Sequence, residues 1–182
     1  PMPETIRILL VDDHAMVRKG LGTMLATEPG LEVVAEAATG EEGLQMVREL
    51  EPDVVLMDIG MPGSGGIEAT RQIKREQPTT SVIMVTVYDS ELLLIEAVRA
   101  GAAGYLTKDT SCALLCHSVR TVVEGGDIIQ GGLLRQAVRG HSSASRERPE
   151  DASTAERLTT REVDVLKLLA QGRPNRAIGA EL

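Results

Sequence analysis

The 182-residue chain is 42% hydrophobic and carries a formal net charge of -8, a composition that suits one well-cored globular domain with a smaller attachment. The charge is uneven. Residues 1–130 hold ten Lys and Arg against twenty Asp and Glu, whereas residues 131–182 hold nine against seven, so the first part repels nucleic acid and the second attracts it only mildly.

No apolar run approaches the roughly 18 to 20 residues of a membrane-spanning helix, and "PMPETIR" lacks a signal-peptide core. The sequence therefore reads as cytoplasmic, with no membrane partner. With no Trp or Phe and only Tyr88 and Tyr105, base stacking is a poor basis for any function.

In chain order, short runs rich in Val, Ile and Leu alternate with helix-length segments whose apolar residues recur every three or four positions. The runs are "IRILLV", "LEVVAEA", "DVVLMD", "SVIMVT" and "AAGYLT"; the helical segments are "AMVRKGLGTMLA", "GEEGLQMVREL", "GIEATRQIKRE", "SELLLIEAVRA" and "SCALLCHSVRTVVE". Five strand–helix units with near-continuously apolar strands predict a five-stranded parallel sheet covered on both faces, a doubly wound α/β fold. Cys112 and Cys116 lie four apart in the last helical segment. With His117 about 100° further round the helix, they read as small core residues rather than as a metal or redox group. Beyond them come a short helical piece at 133–138 and the polar, aperiodic stretch "RGHSSASRERPEDASTAE", which reads as a flexible linker. The segment "LTTREVDVLKLLAQGRPNRAIGAEL" is patterned again. Thr159 and Glu162 form a capping-box pattern, Gly172 and Pro174 end that helix, and Asn175 caps a second.

The strand ends carry the chemistry. Asp12 and Asp13 close the first run, Asp58 the third and Thr86 the fourth, while Lys108 follows the fifth. In an open parallel sheet these carboxyl ends line one crevice, where such folds bind ligands. Clustered carboxylates call for a hard cation such as Mg²⁺. Lys108 and the Thr86 hydroxyl suit anionic oxygens, and a cation, a lysine, a hydroxyl and a carboxylate nucleophile are what phosphoryl transfer requires. Each residue also has a plainer reading: Asp13 as a helix cap, Asp58 as a turn residue, Lys108 as solvated surface. The glycines of "GMPGSGG" match neither phosphate-loop pattern and read as shaping the turn into the third helix.

Four of these motifs, "LLVDDH", "VVLMDIGMPGSGGIEAT", "VIMVT" and "AGAAGYLTKD", resemble the receiver domain of bacterial two-component response regulators, and the C-terminal segment resembles the start of the helix-turn-helix output domain of the NarL/LuxR (FixJ) subfamily. The resemblance implies a flavodoxin-like receiver at 4–127, a short helix and linker at 128–156, and at 157–182 the first part of a LuxR-type output domain without its recognition helix, so that no complete DNA-binding element is expected. It implies phosphorylation of Asp58 by a sensor histidine kinase; Mg²⁺ held by Asp12, Asp13, Asp58 and the backbone carbonyl of Gly60; phosphoryl oxygens held by Thr86 and Lys108; and a switch pair, Thr86 and Tyr105. Gly60 and Tyr88 would flank the path of the water that hydrolyses the phosphoryl group. Further partners implied are promoter DNA, through a complete output domain only, and a second copy of the chain on phosphorylation.

Two other functions compete with a transcriptional switch: a receiver working only through protein contacts, and a Mg²⁺-dependent phosphatase. The phosphatase reading is weakened by Gly60, where enzymes of the haloacid dehalogenase type carry a second Asp.

Overall fold

The computed structural model describes residues 5–63, 65–87 and 90–129. The piece at 133–138, the linker, the segment 157–182 and Tyr88 lie outside the described residues.

Among the described residues six parallel strands form one sheet: β1 (Ile6–Val11), β2 (Leu31–Ala37), β3 (Val54–Met57), β4 (Ser81–Thr86), β5 (Gly104–Thr107) and β6 (Ile128–Ile129), in the order β2-β1-β3-β4-β5-β6. The five expected strands stand where the sequence places them, within a residue or two at their ends. The two-residue β6 falls in the stretch read as the start of the linker. It pairs with Gly104 and Tyr105 of β5.

Five helices join the strands: α1 (Ala15–Ala26), α2 (Gly40–Leu50), α3 (Gly65–Glu76), α4 (Glu91–Arg99) and α5 (Cys112–Val123). Side chains alternate across the central strands, so each face acquires its own core. Leu9, Val11, Val55, Met57, Val82 and Met84 pack under α2, α3 and α4. Ile8, Leu10, Val54, Leu56, Ile83 and Val85 pack under α1 and α5. All four residues of β3 are buried, and each apolar side chain so buried contributes about 1.5–3 kcal/mol of transfer free energy. Local sequence starts several helices: Thr39, Ser90 and Ser111 each accept a backbone N–H of the first turn, and Glu42 reaches back to the Ala38 N–H at 2.8 Å.

The chain leaves β1 toward β2 on one side of the sheet and crosses to β3 on the other. This reversal opens a crevice above the carboxyl ends of β1 and β3.

Candidate functional site

The crevice holds the predicted charges. Asp12 and Asp13 follow β1 directly, and Asp58 follows β3, anchored by its own N–H donating to the Val11 carbonyl at 2.8 Å. Asp12 and Asp58 are 3% and 4% exposed, which rules out simple surface roles. The Lys108 ammonium lies 2.5 Å from one Asp12 oxygen and 3.2 Å from an Asp58 oxygen. Lys108 is held there by its backbone, whose N–H donates to the Thr86 carbonyl at 2.8 Å. It is a half-buried counter-ion, not solvated surface.

Asp13 does not cap α1. The residue at that position is His14, whose side chain makes no cap bond, and whose N–H instead donates to Asp12 at 2.8 Å. The Asp13 carboxylate is free of the helix and sits 2.8 Å from the His14 imidazole. Ligand atoms of Asp12, Asp13, His14 and Asp58 all lie within 4.8 Å of one another. Sequence reasoning assigned nothing to His14, although its place directly after two clustered carboxylates was the available signal.

The electrostatics follow from burial. Loss of hydration raises the Asp58 pKa above the ordinary carboxylate value; Lys108 opposes the rise, the neighbouring Asp12 charge adds to it, and the Gly60 N–H, donating to the carboxylate, opposes it again. Burial works against the Lys108 charge, but the Asp12 and Asp58 carboxylates outweigh it and raise its pKa. One lysine thus faces two carboxylates, with the third, Asp13, clustered beside them. A compact set of hard oxygen donors with surplus negative charge and one partly open side, Asp13 being 29% accessible, fits Mg²⁺.

Thr86 ends β4 and is fully buried. Tyr105, whose partner across the sheet is Met84, is 1% exposed in the core under α2, α3 and α4. By strand alternation Thr86 and Tyr105 share that face as diagonal neighbours. The structure therefore brings Asp12, Asp13, Asp58 and Lys108 together, sets Gly60 beside Asp58, and holds Tyr105 in the core under α2, α3 and α4.

One glycine of "GMPGSGG" has a role the sequence left unspecified. A Cβ on Gly66 would stand 1.9 Å from the Asp58 carbonyl oxygen, a distance no real contact allows. Gly66 lets the start of α3 press against the backbone of Asp58. Gly63 and Gly65 have φ of +86° and +68°, left-handed conformations that favour glycine.

Residues 8–120 match the response regulator receiver domain. The chain belongs to the response regulators. It is 39% identical over 177 residues to the transcriptional regulatory protein LiaR of Bacillus subtilis, spanning 97% of this chain and 82% of that one. It is 38% identical over 178 residues to the response regulator GacA of Pseudomonas aeruginosa, with 97% and 81% spanned. Among solved structures, a LuxR-family two-component response regulator from Aurantimonas sp. SI85-9A1 superimposes with a TM-score of 0.71 at 35% identity, over 76% of this chain and 99% of that one. The response regulator ChrA of a heme-sensing two-component system superimposes with a TM-score of 0.63 at 35% identity, over 97% and 81%. This response regulator is thus of the LuxR type, in a family of signalling proteins rather than classical enzymes. No helix among its described residues is long and apolar enough to cross a membrane.

Proposed function

We propose that the chain is a phosphorylation-operated switch in which Asp58 receives a phosphoryl group from the phosphohistidine of a sensor kinase and so controls a DNA-binding output domain. The observation that carries this reading is the buried Asp58 carboxylate held 3.2 Å from Lys108 at the β1/β3 crevice. An Asp58 oxygen attacks phosphorus as the bond to the donor nitrogen breaks, and that electron pair stays on the departing imidazole. Lys108 offers its ammonium to the phosphoryl oxygens, giving up part of its contact with Asp12 and Asp58, and Thr86 supplies a hydroxyl from the adjoining strand end. Asp12, Asp13, Asp58 and the Gly60 carbonyl would hold Mg²⁺, which when bound draws negative charge off those oxygens. Water attacking the same phosphorus later releases phosphate and restores the Asp58 carboxylate, so the signal decays on its own. Promoter DNA is reached through a complete LuxR-type output domain, with pairing of two copies on phosphorylation.

The test uses a small acyl phosphate donor with Mg²⁺ and a phosphate-affinity gel. A shifted band is expected for the wild-type chain and none for Asp58→Asn or after chelation of the metal. A shift that persists in either condition overturns the assignment.

A further inference from the structure

On the opposite face of the sheet from Tyr105, the first two turns of α5 carry Cys112 and Cys116. Their spacing alone suggests core residues, and for Cys116, 2% exposed beside Leu115 and Val119, that description holds. Three further observations go beyond it. The two Sγ atoms are 3.8 Å apart and share a hydrogen bond. Glu28, in the turn after α1, brings a carboxylate oxygen to them, and the three ligand atoms lie within 4.8 Å of one another. The cluster also opens to solvent, because Cys112 is only half-buried and the Glu28 side chain is 34% accessible.

A close thiol pair can form a disulfide or chelate a metal, and the geometry separates the two. A disulfide needs Sγ atoms about 2.05 Å apart on Cβ atoms about 3.8 Å apart. Residues four apart on a helix hold their Cβ atoms at about 5–6 Å, so closing the bond would unwind the first turn of α5. Burial, followed by the hydrogen bond and charge of Cys112, pushes the Cys116 thiol up to about 11, so it lacks the acidity of an attacking redox thiol. A tetrahedral metal at about 2.3 Å from each sulfur, by contrast, sets its two sulfurs about 3.8 Å apart. That separation is already present.

We propose that Cys112, Cys116 and Glu28 form a three-ligand site for a thiophilic divalent cation of the zinc type, with the fourth position open to water. Arg120 lies 3.4 Å from Glu28 and also donates to the Pro29 carbonyl at 3.2 Å, so it aims the carboxylate from behind, as outer partners of metal ligands do. Binding replaces two S–H bonds with two metal–sulfur bonds and releases two protons to solvent, with no change in oxidation state. The sulfur donors select against the hard Mg²⁺ that suits the aspartates, so the two sites take different ions. An ion here ties the end of α1 to the start of α5, four residues after Lys108.

The test is a Cd²⁺ titration of the reduced full chain in excess Mg²⁺, followed by near-ultraviolet thiolate-to-metal charge-transfer absorption and by proton release in weak buffer. One Cd²⁺ per chain and two protons per ion are expected. Cys112→Ser, at the half-buried position, should keep the wild-type circular dichroism and lose the band, and Glu28→Gln should weaken binding at least about tenfold. Bound Cd²⁺ should also protect both thiols of the wild-type chain from alkylation, a readout that needs no variant. Absence of the band at one equivalent, its survival in Cys112→Ser, unchanged affinity in Glu28→Gln, or alkylation unaffected by Cd²⁺ would each overturn the site.

Discussion

Asp58 occupies an expensive position. It is buried beside Asp12, and Lys108 is the single cation within salt-bridge distance of both among the described residues. Because its pKa is raised in the fold, the native state keeps this proton longer than the unfolded chain does. As pH climbs from the ordinary carboxylate value through the raised value, the native state loses stability. Asn keeps the shape and removes the charge, so in metal-free buffer near pH 7 Asp58→Asn is expected to be more stable than wild type by on the order of 1 kcal/mol, a few degrees in Tm. Near pH 3 the difference should vanish, since both side chains are then neutral. A lower Tm for Asp58→Asn at neutral pH would show that the Lys108 contacts outweigh burial and repulsion.

Lys108→Met extends the argument. It removes the cation and leaves Asp12 and Asp58 facing each other unneutralised, so it is expected to destabilise the metal-free fold by about 3 kcal/mol. Saturating Mg²⁺ should restore part of the loss. Thermal unfolding with and without the ion measures both effects, and an equal Tm for variant and wild type in chelator would contradict the ion-pair geometry.

At the level of elements, glycines decide how close α3 comes to the site. Gly66→Ala places a Cβ against the backbone of Asp58, and since backbone cannot rotate away as a side chain can, α3 must move. An overpacking cost of about 1–3 kcal/mol is expected, together with slower phosphorylation by the acyl phosphate donor. Gly20, inside α1, is the control: nothing lies within 4 Å of its added Cβ. Gly20→Ala should therefore stabilise the chain by about 0.5–1 kcal/mol through helix propensity alone without changing phosphorylation. Denaturant unfolding of the two variants separates contact from propensity. The sequence marks both positions as glycine, and spacing alone gives no reason to treat them differently.

At the level of the whole molecule, Tyr105 joins the site to the rest of the sheet. The structure holds its ring inside, on the same face as Thr86. A switch built on this pair requires a second state in which the ring turns outward, and phosphorylation then shifts the population toward the inward state by adding acceptor oxygens near the Thr86 hydroxyl. In a Tyr88→Leu background, tyrosine emission comes from Tyr105 alone, since the chain has no Trp. Its exposure to a soluble quencher is expected to fall when a phosphoryl mimic binds. Equal quenching in both conditions would mean that the inward ring is the sole state and that the switch uses other residues.

The sequence by itself determined the order and bounds of five strand–helix units, the parallel sheet they form and the family, because apolar periodicity and cap residues are local and the acidic, Thr and Lys motifs fall at strand ends. β6 escaped it, since two residues of strand carry no period and Ile128–Ile129 gain their meaning only from the edge of β5. Only the tertiary structure decided that Lys108 reaches both Asp12 and Asp58, that His14 rather than Asp13 begins α1, that Gly66 touches the backbone of Asp58, and that Glu28 meets two cysteines more than eighty positions away. The choice of His14 is a matter of local backbone geometry, and the others depend on distances between separate segments of the chain. Such distances are set by how helices pack on the sheet, which a linear pattern does not contain.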